Sequence, residues 1–283
     1  MALPLRSPSA KLLDDRNLVA VREVLARDPV ADVFVASRVA ACGVDPWRLG
    51  AELWGHSVDG RLASLCYSGA NLWPVSAGPE ALRVFAERAR RQGRRCSSIV
   101  GVADAVMELW RYLEPAWGPA REVRDCQPLL AISRPPDVAP DPAVRVVRPD
   151  ELDILLPACV AMFTEEIGVS PVASDGGSLY RARVGEFVAA RRSFARIENG
   201  RVLFKAEIGA VAAGVCQVQG VWVAPEARGQ GLGAAGTAQV VELARAMFAP
   251  VVSLYVNAFN TAARKAYDRV GFDRVGTFAS ILF

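Results

Sequence analysis

The chain has 283 residues, 52% of them hydrophobic and 22% charged, with a formal net charge of +3. That length predicts two domains with real cores, and the composition excludes intrinsic disorder. The small net charge by itself gives no argument for nucleic acid or a membrane surface, and neither is expected as a partner. No apolar run approaches the ~18 residues a membrane helix needs, and the amino terminus lacks a secretory apolar core, so a cytoplasmic protein is expected. The six cysteines, Cys42, Cys66, Cys96, Cys126, Cys159 and Cys216, lie far apart with no Cys-x-x-Cys. That scatter predicts buried free thiols and no disulfide or zinc framework. The single histidine, His56, leaves any histidine-based triad dependent on one residue with no evident nucleophile beside it.

In chain order, a helix is predicted over 17–27, then strands across 51–75 broken by the hairpin signal Asp59-Gly60. A helix opens at Pro79 and stops at Gly93, with Leu82, Phe85 and Ala89 on one face. A short strand over 96–100 and a helix over 103–113 follow. Five of the six tryptophans precede residue 120, enough for a separate core. The arginines Arg88, Arg90, Arg91, Arg94 and Arg95 read as a solvated helix face and its C-terminal cap, or as a site for an acidic substrate or partner. The stretch 134–143, dense in proline, reads as an extended connector between domains 1–133 and 144–283.

The second domain begins with a strand over 144–147 and a helix from Pro149 to about Gly168, with Pro157 as a predicted kink. A second helix is predicted over 177–191, then a hairpin over 193–208 around Asn199-Gly200. Strict alternation along these strands groups Val202, Phe204, Ala206 and Ile208 on one face and Leu203, Lys205 and Glu207 on the other. On the next strand Gln217 and Gln219 share a face with Val221 and Val223. The polar strip of Lys205, Glu207, Gln217 and Gln219 reads as a solvated face or as a substrate cleft.

That strand ends at Pro225 and leads to Arg228-Gly229-Gln230-Gly231-Leu232-Gly233, a loop opening a helix. Bare amides and the positive end of the helix dipole suit a phosphate, and Arg228 adds a cation. Gly231, Gly233 and Gly236 also satisfy Gly-x-Gly-x-x-Gly, the dinucleotide fingerprint. Pro225–Arg228 separate those glycines from the strand, and no acidic residue ends the next strand, which argues against nicotinamide binding. Further on, a strand over 251–256 precedes Asn260, the natural N-cap of a helix over 261–270 that Gly271 closes. A last strand falls within 272–283.

The Arg-x-x-Gly-x-Gly loop after a Val-x-Val-x-Pro strand resembles the acyl-CoA signature of the GNAT superfamily of N-acetyltransferases. The later pattern Asn260, Ala263, Tyr267, Gly271 and Phe272 is similar to a second motif of that family. The resemblance covers 144–283. It implies a mixed α/β (α+β) sheet, and with the parallel element order of 1–133 it implies a tandem GNAT-like architecture whose first domain is degenerate. The leading domain resembles that of two-part bacterial GNAT proteins with no assigned role. By the same resemblance, acetyl-CoA or another acyl-CoA is the co-substrate, a primary amine on a small molecule or protein is the acceptor, and no metal takes part. Val221, Trp222 and Val223 would hold the carbonyl and pantetheine, residues Arg228 to Gly233 the phosphates, and Asn260 and Ala263 the pantetheine arm. Tyr267 would protonate the leaving thiolate, or else serve as core. Glu207 is the first candidate for the general base, followed by Glu165 and Glu166. The rival reading is a CoA-binding sensor or scaffold without turnover; a homodimer is left open.

Overall fold

The structure is a computed structural model, and it describes residues 10–173 and 176–283. The signal-peptide reading of the first residues therefore lies largely outside the described residues. The elements begin as β1 (Lys11–Leu12), α1 (Leu18–Leu25), α2 (Val33–Cys42), α3 (Pro46–Leu49), β2 (Glu52–Val58), β3 (Arg61–Ser68) and β4 (Asn71–Val75). They continue as α4 (Pro79–Gln92), β5 (Ser98–Val102), α5 (Ala103–Trp117), β6 (Glu122–Ile132) and β7 (Arg145–Val146). Then come α6 (Leu152–Ile167), α7 (Ser178–Ala189), β8 (Ser193–Glu198), β9 (Arg201–Ala212) and β10 (Val215–Val223). The chain closes with α8 (Leu232–Met247), β11 (Val251–Tyr255), α9 (Thr261–Val270) and β12 (Asp273–Leu282).

Two compact units result. One runs to Leu129 and adds 255–258 and 275–283; the other holds 130–254 and 259–274. This division differs from the sequence reading at the last strand, which pairs antiparallel with β5 of the first unit, Phe278 against Val102 and Leu282 against Ser98. The side chains explain the difference: Ala279 and Ile281 bury in the cluster built by Phe85, Ile99, Leu109 and Trp110. The proline-dense stretch is also no free spacer. Arg134 and Asp137 pair and reach Gly271 and Val270, while the Asp141 amide donates to Ala235 at 3.0 Å. A Cβ on Gly271 would collide with Asp137 and Arg134, so glycine there admits this packing.

In the first unit, β2 and β3 form the expected hairpin, with Asp59 and Gly60 at φ of 50° and 76°, the left-handed pair that matches strand twist. Parallel pairing of β4 with β5 covers Asn71–Leu72 against Ser98–Ile99. Beyond it, Trp73 stacks on Phe34 at 4.9 Å and meets Phe278 edge-on at 5.6 Å. The loop into α4 then offers Ser76, Ala77, Gly78 and Pro79, which lacks an N–H, with Glu80 in the first turn. Aromatic rings thus pack beside this strand pair, and a carboxylate lies in the first turn of the helix that follows. Its arginines are engaged locally. Arg88 donates to Glu52 and to the Ala10 carbonyl, both at 3.1 Å, Arg91 pairs with Glu87, and Arg94 lies over Phe283. Sequence periodicity missed α2, whose hydrophobic residues Val33, Val35, Ala36 and Val39 bury on more than one face.

The second unit orders its strands β11-β10-β9-β8-β7, with only β10 and β11 parallel. One face carries α6 and α7, whose Leu155, Cys159, Val184 and Val188 cluster with Ala195 and Val202. The other carries α8: a Cβ on Gly236 would come within 2.7 Å of the Phe204 ring, so helix and strand touch directly there. All six cysteines are free, although Cys126 is exposed and Cys42 half-buried, against the expectation of buried thiols throughout.

Asp32, 3% exposed at the start of α2, makes no capping bond with its side chain. Burial pushes its carboxyl up to about 8, and Asp28 nearby adds repulsion. The folded protein then keeps a proton the unfolded chain has lost, so stability falls as pH rises from 3.8 to about 8. Asp32→Asn is expected to flatten that slope, raising the urea midpoint at alkaline pH and leaving it alone below the unfolded value.

Candidate active site on the carboxyl-terminal unit

Strand β9 does not alternate strictly. Ile197 pairs with Val202 while Arg196 pairs with Phe204, so Leu203 is extra and Val202 joins the α6–α7 side. That corrects the face of Val202; Phe204 lies on the α8 side. A second irregularity at Gly209 and a third at Gly220–Val221 shift β10 against β9, Gln219 pairing with Glu207 and Trp222 with Lys205. Each bulge resets which side chains share a face. Trp222 consequently lies on the side of Lys205 and packs into the α6–α7 cluster. Val223, opposite Phe204, is the residue that approaches the start of α8, within 3.7 Å of where a Cβ on Gly233 would be. The expected grouping of Gln217, Gln219, Val221 and Val223 is broken at this point.

Pairing of β10 with β11 runs only through Val215–Gln217 against Val251–Ser253. Past Gln217, β10 and β11 share no register pair among the described residues, and a gap opens toward the glycine loop. That loop starts with a turn at Pro225–Ala227, and Gly229 and Gly231 adopt φ of 77° and 82°. No main-chain acceptor takes the N–H groups of Gly229, Gln230, Gly231, Leu232 or Gly233 among the described residues. Five donors at a helix start form a concavity suited to an anion. Arg228 lies beside them, donating from Nε to the Val223 carbonyl at 3.0 Å and pairing with Glu165 at 2.8 Å. Glu165 also accepts from the Trp222 indole at 3.1 Å. With both oxygens engaged, Glu165 is poorly placed as a free base.

The polar strip is mostly buried. Lys205 is 0% and Glu207 6% exposed, which sets aside the solvated-face reading for both; Gln219 remains exposed. Lys205 Nζ donates to Glu207 Oε1 at 2.6 Å, and the Cys159 thiol donates to the same oxygen at 3.5 Å. Burial pulls the ammonium down, but Glu207 and then Cys159 outweigh it and hold Lys205 above its ordinary value. Burial likewise pushes the Cys159 thiol up to about 11. Tyr180 donates to the Cys159 carbonyl at 3.0 Å, and burial raises its hydroxyl too. Glu207 Oε2 has no partner among the described residues and faces the bulge, 3.3 Å from where a Cβ on Gly220 would stand.

Across the gap, Asn260 caps α9 by accepting from the Ala263 amide at 3.1 Å. Tyr267, 6% exposed, packs against Phe272 at 5.9 Å. Its hydroxyl is raised above the ordinary value by burial and then by Glu166. The last turn of α6 thus places Glu165 at Trp222 and Arg228, and Glu166 near Tyr267. The structure brings Val221–Val223, Arg228–Gly233 and Glu207 around one strand end, with Gly233 also close to Ala266 of α9. Sequence reasoning placed Lys205 and Glu207 on one face but left their burial open, and it missed the role of Gly220; a glycine inside an apolar strand was the available signal for a bulge.

Comparison with known proteins meets this geometry. Residues 174–272 match the Acetyltransferase (GNAT) family. Residues 51–155 match a domain of unknown function, DUF4081. Among solved structures, the chain is similar over 99% of its length to a GCN5-related N-acetyltransferase from Sphaerobacter thermophilus, at 17% identity, TM-score 0.59 and 97% coverage of that chain. It is similar over 98% of its length to a Drosophila protein at 13% identity and TM-score 0.66, covering 99% of that chain. A tandem GNAT protein from the clavulanic acid biosynthesis pathway aligns at 14% identity and TM-score 0.51, covering 97% of this chain and 98% of that one. These likenesses establish the GNAT fold along the chain, as the tandem reading expected. No curated protein matches the chain.

In the GNAT segment, Gly220 sits at φ of 60°, with Lys205 Nζ, the Met162 methyl and Glu207 Oε2 all within 3.3 Å of a would-be Cβ. Gly220→Ala is expected to cost roughly 1–3 kcal/mol, from left-handed strain and crowding together. Urea unfolding of the variant measures it.

Proposed function

We propose that the second unit is an acyl-CoA-dependent N-acyltransferase that moves an acetyl group from acetyl-CoA to a primary amine by direct attack. The observation that carries this reading is the strand end itself: β10 parts from β11 after Gln217 and runs straight into five unsatisfied amides at the start of α8. The residues present fit the coenzyme. The amides of Gly229 to Gly233 would hold the pyrophosphate with Arg228, and the unpaired edge of β10 at Val221–Val223 would hold the pantetheine amides. When bound, the thioester supplies an activated acyl carbonyl. Asn260 and Ala263 would flank the pantetheine arm.

The remaining work falls to side chains. Glu207 Oε2 accepts the proton that the attacking amine must lose, directly or through water. Tyr267, kept protonated by burial and by Glu166, is the acid for the leaving thiolate. Of the described residues, no group of three or more His, Cys, Asp or Glu could hold a metal ion, and no helix is long and apolar enough to cross a membrane.

Calorimetry with acetyl-CoA, paired with detection of free thiol over a panel of amines, tests the reading. Binding with no thiol release for any amine would favour a CoA-binding sensor instead. Tyr267→Phe is expected to lower kcat by about 100-fold and leave the Kd for acetyl-CoA within about two-fold. The Glu165 carboxylate competes with phosphate for Arg228, so Glu165→Gln is expected to tighten coenzyme binding. The gain should be about five-fold at most, because the ion pair is exposed. Glutamine keeps the acceptor for Trp222, so a loss of affinity would contradict the competition.

A further inference from the structure

The most deeply buried charge in the second unit is Lys205, and nothing in the reaction outlined above uses it. It is 0% exposed, sits two residues from Glu207 on β9, and donates to Oε1 at 2.6 Å. Removing an ammonium from water costs far more than an exposed ion pair returns, so a lone structural lysine would be a poor choice at this position. Four further groups lie around Glu207. Cys159 on α6 donates to Oε1, Tyr180 on α7 lies behind Cys159, and Gln219 on β10 is its cross-strand partner. Ser193, its partner on β8, is 1% exposed and its hydroxyl has no partner. Lys205 is the only cation among these neighbours. Both recorded donors converge on Oε1, and Oε2 is left toward Gly220, where β10 bulges at the strand end.

We propose that Lys205 is a positioning residue for the reaction: its ammonium fixes Oε1 so that Oε2 of Glu207 is held at the Gly220 bulge. This rests on the acyltransferase reading of the same site. The step it serves is one proton transfer. The N–H bond of the acceptor ammonium breaks, Oε2 takes the proton, and the lone pair left on nitrogen attacks the carbonyl. Lys205 exchanges no proton in that step. It holds the carboxylate's angle through the 2.6 Å contact to Oε1.

A cycle of Lys205→Met, Glu207→Gln and the double variant tests this, with kcat/KM measured against pH and acetyl-CoA affinity by calorimetry. Lys205→Met is expected to lower kcat/KM at neutral pH at least 30-fold and to move the acid limb upward by a unit or more. Affinity for acetyl-CoA should stay within two-fold. Lys205→Met leaves a carboxylate buried alone and can fail to fold; the double variant leaves no lone charge. If Lys205 acts only through Glu207, the double variant matches Glu207→Gln in kcat/KM within two-fold. A double variant far below Glu207→Gln, or one restored toward the wild type, overturns the proposal, as does a folded Lys205→Met with an unchanged pH profile. Absence of thiol release from the wild type would instead overturn the acyltransferase reading, and this proposal with it.

Discussion

Beyond Gln217, β10 keeps β9 as its partner and leaves β11. The ladder on the β9 side stays intact only by absorbing bulges at Gly209 and at Gly220–Val221. Bulges add local twist, and twist carries one strand away from a neighbour that follows a straighter path. From that single constraint come the exposed backbone edge at Val221–Val223 and the placement of the glycine loop at its end. The same bulge turns Trp222 toward α6, where it meets Glu165, and leaves Val223 to face α8. Arg228 is drawn into this joint through Glu165 and the Val223 carbonyl.

The two units handle the same topological feature in opposite ways. In the first, the parallel pair β4–β5 shares two register positions where β10–β11 shares three, Trp73, Phe34 and Phe278 pack beside it, and Pro79 removes a donor from the following helix start. In the second, glycines occupy the helix start and no aromatic side chain of β10 turns into the gap, Trp222 being directed to the other face. DUF4081, matched over 51–155, includes β4, β5 and Trp73, and the GNAT match over 174–272 includes the glycine loop.

Polar burial sets the second unit apart. Lys205 and Glu207 sit under α6 with Cys159 and Tyr180, where burial pushes the thiol up to about 11 and raises the tyrosine hydroxyl as well. A cluster of this kind is tolerable only because the charges are paired. It also stiffens the strand segment opposite the bulge, which fixes the carboxylate relative to the strand end more firmly than a surface glutamate would be fixed.

Much was legible in the amino-acid sequence, and for local reasons. Asp59-Gly60 and Asn199-Gly200 set hairpin turns, Asn260 and Gly271 bounded α9 at the expected residues, and the Arg228–Gly233 loop announced a bare helix start. Each of these depends on the φ or hydrogen-bonding capacity of one or two neighbouring residues. Tertiary structure alone decided the rest. A period of two along β9 already put Lys205 and Glu207 on one face, but it cannot reveal bulges, so the faces of Val202, Trp222 and Val223 and the burial of that pair under α6 emerged only from register and packing. The partner of β12 was likewise decided by burial of Ala279 and Ile281 against residues far away in the chain, a long-range energy that no local pattern encodes.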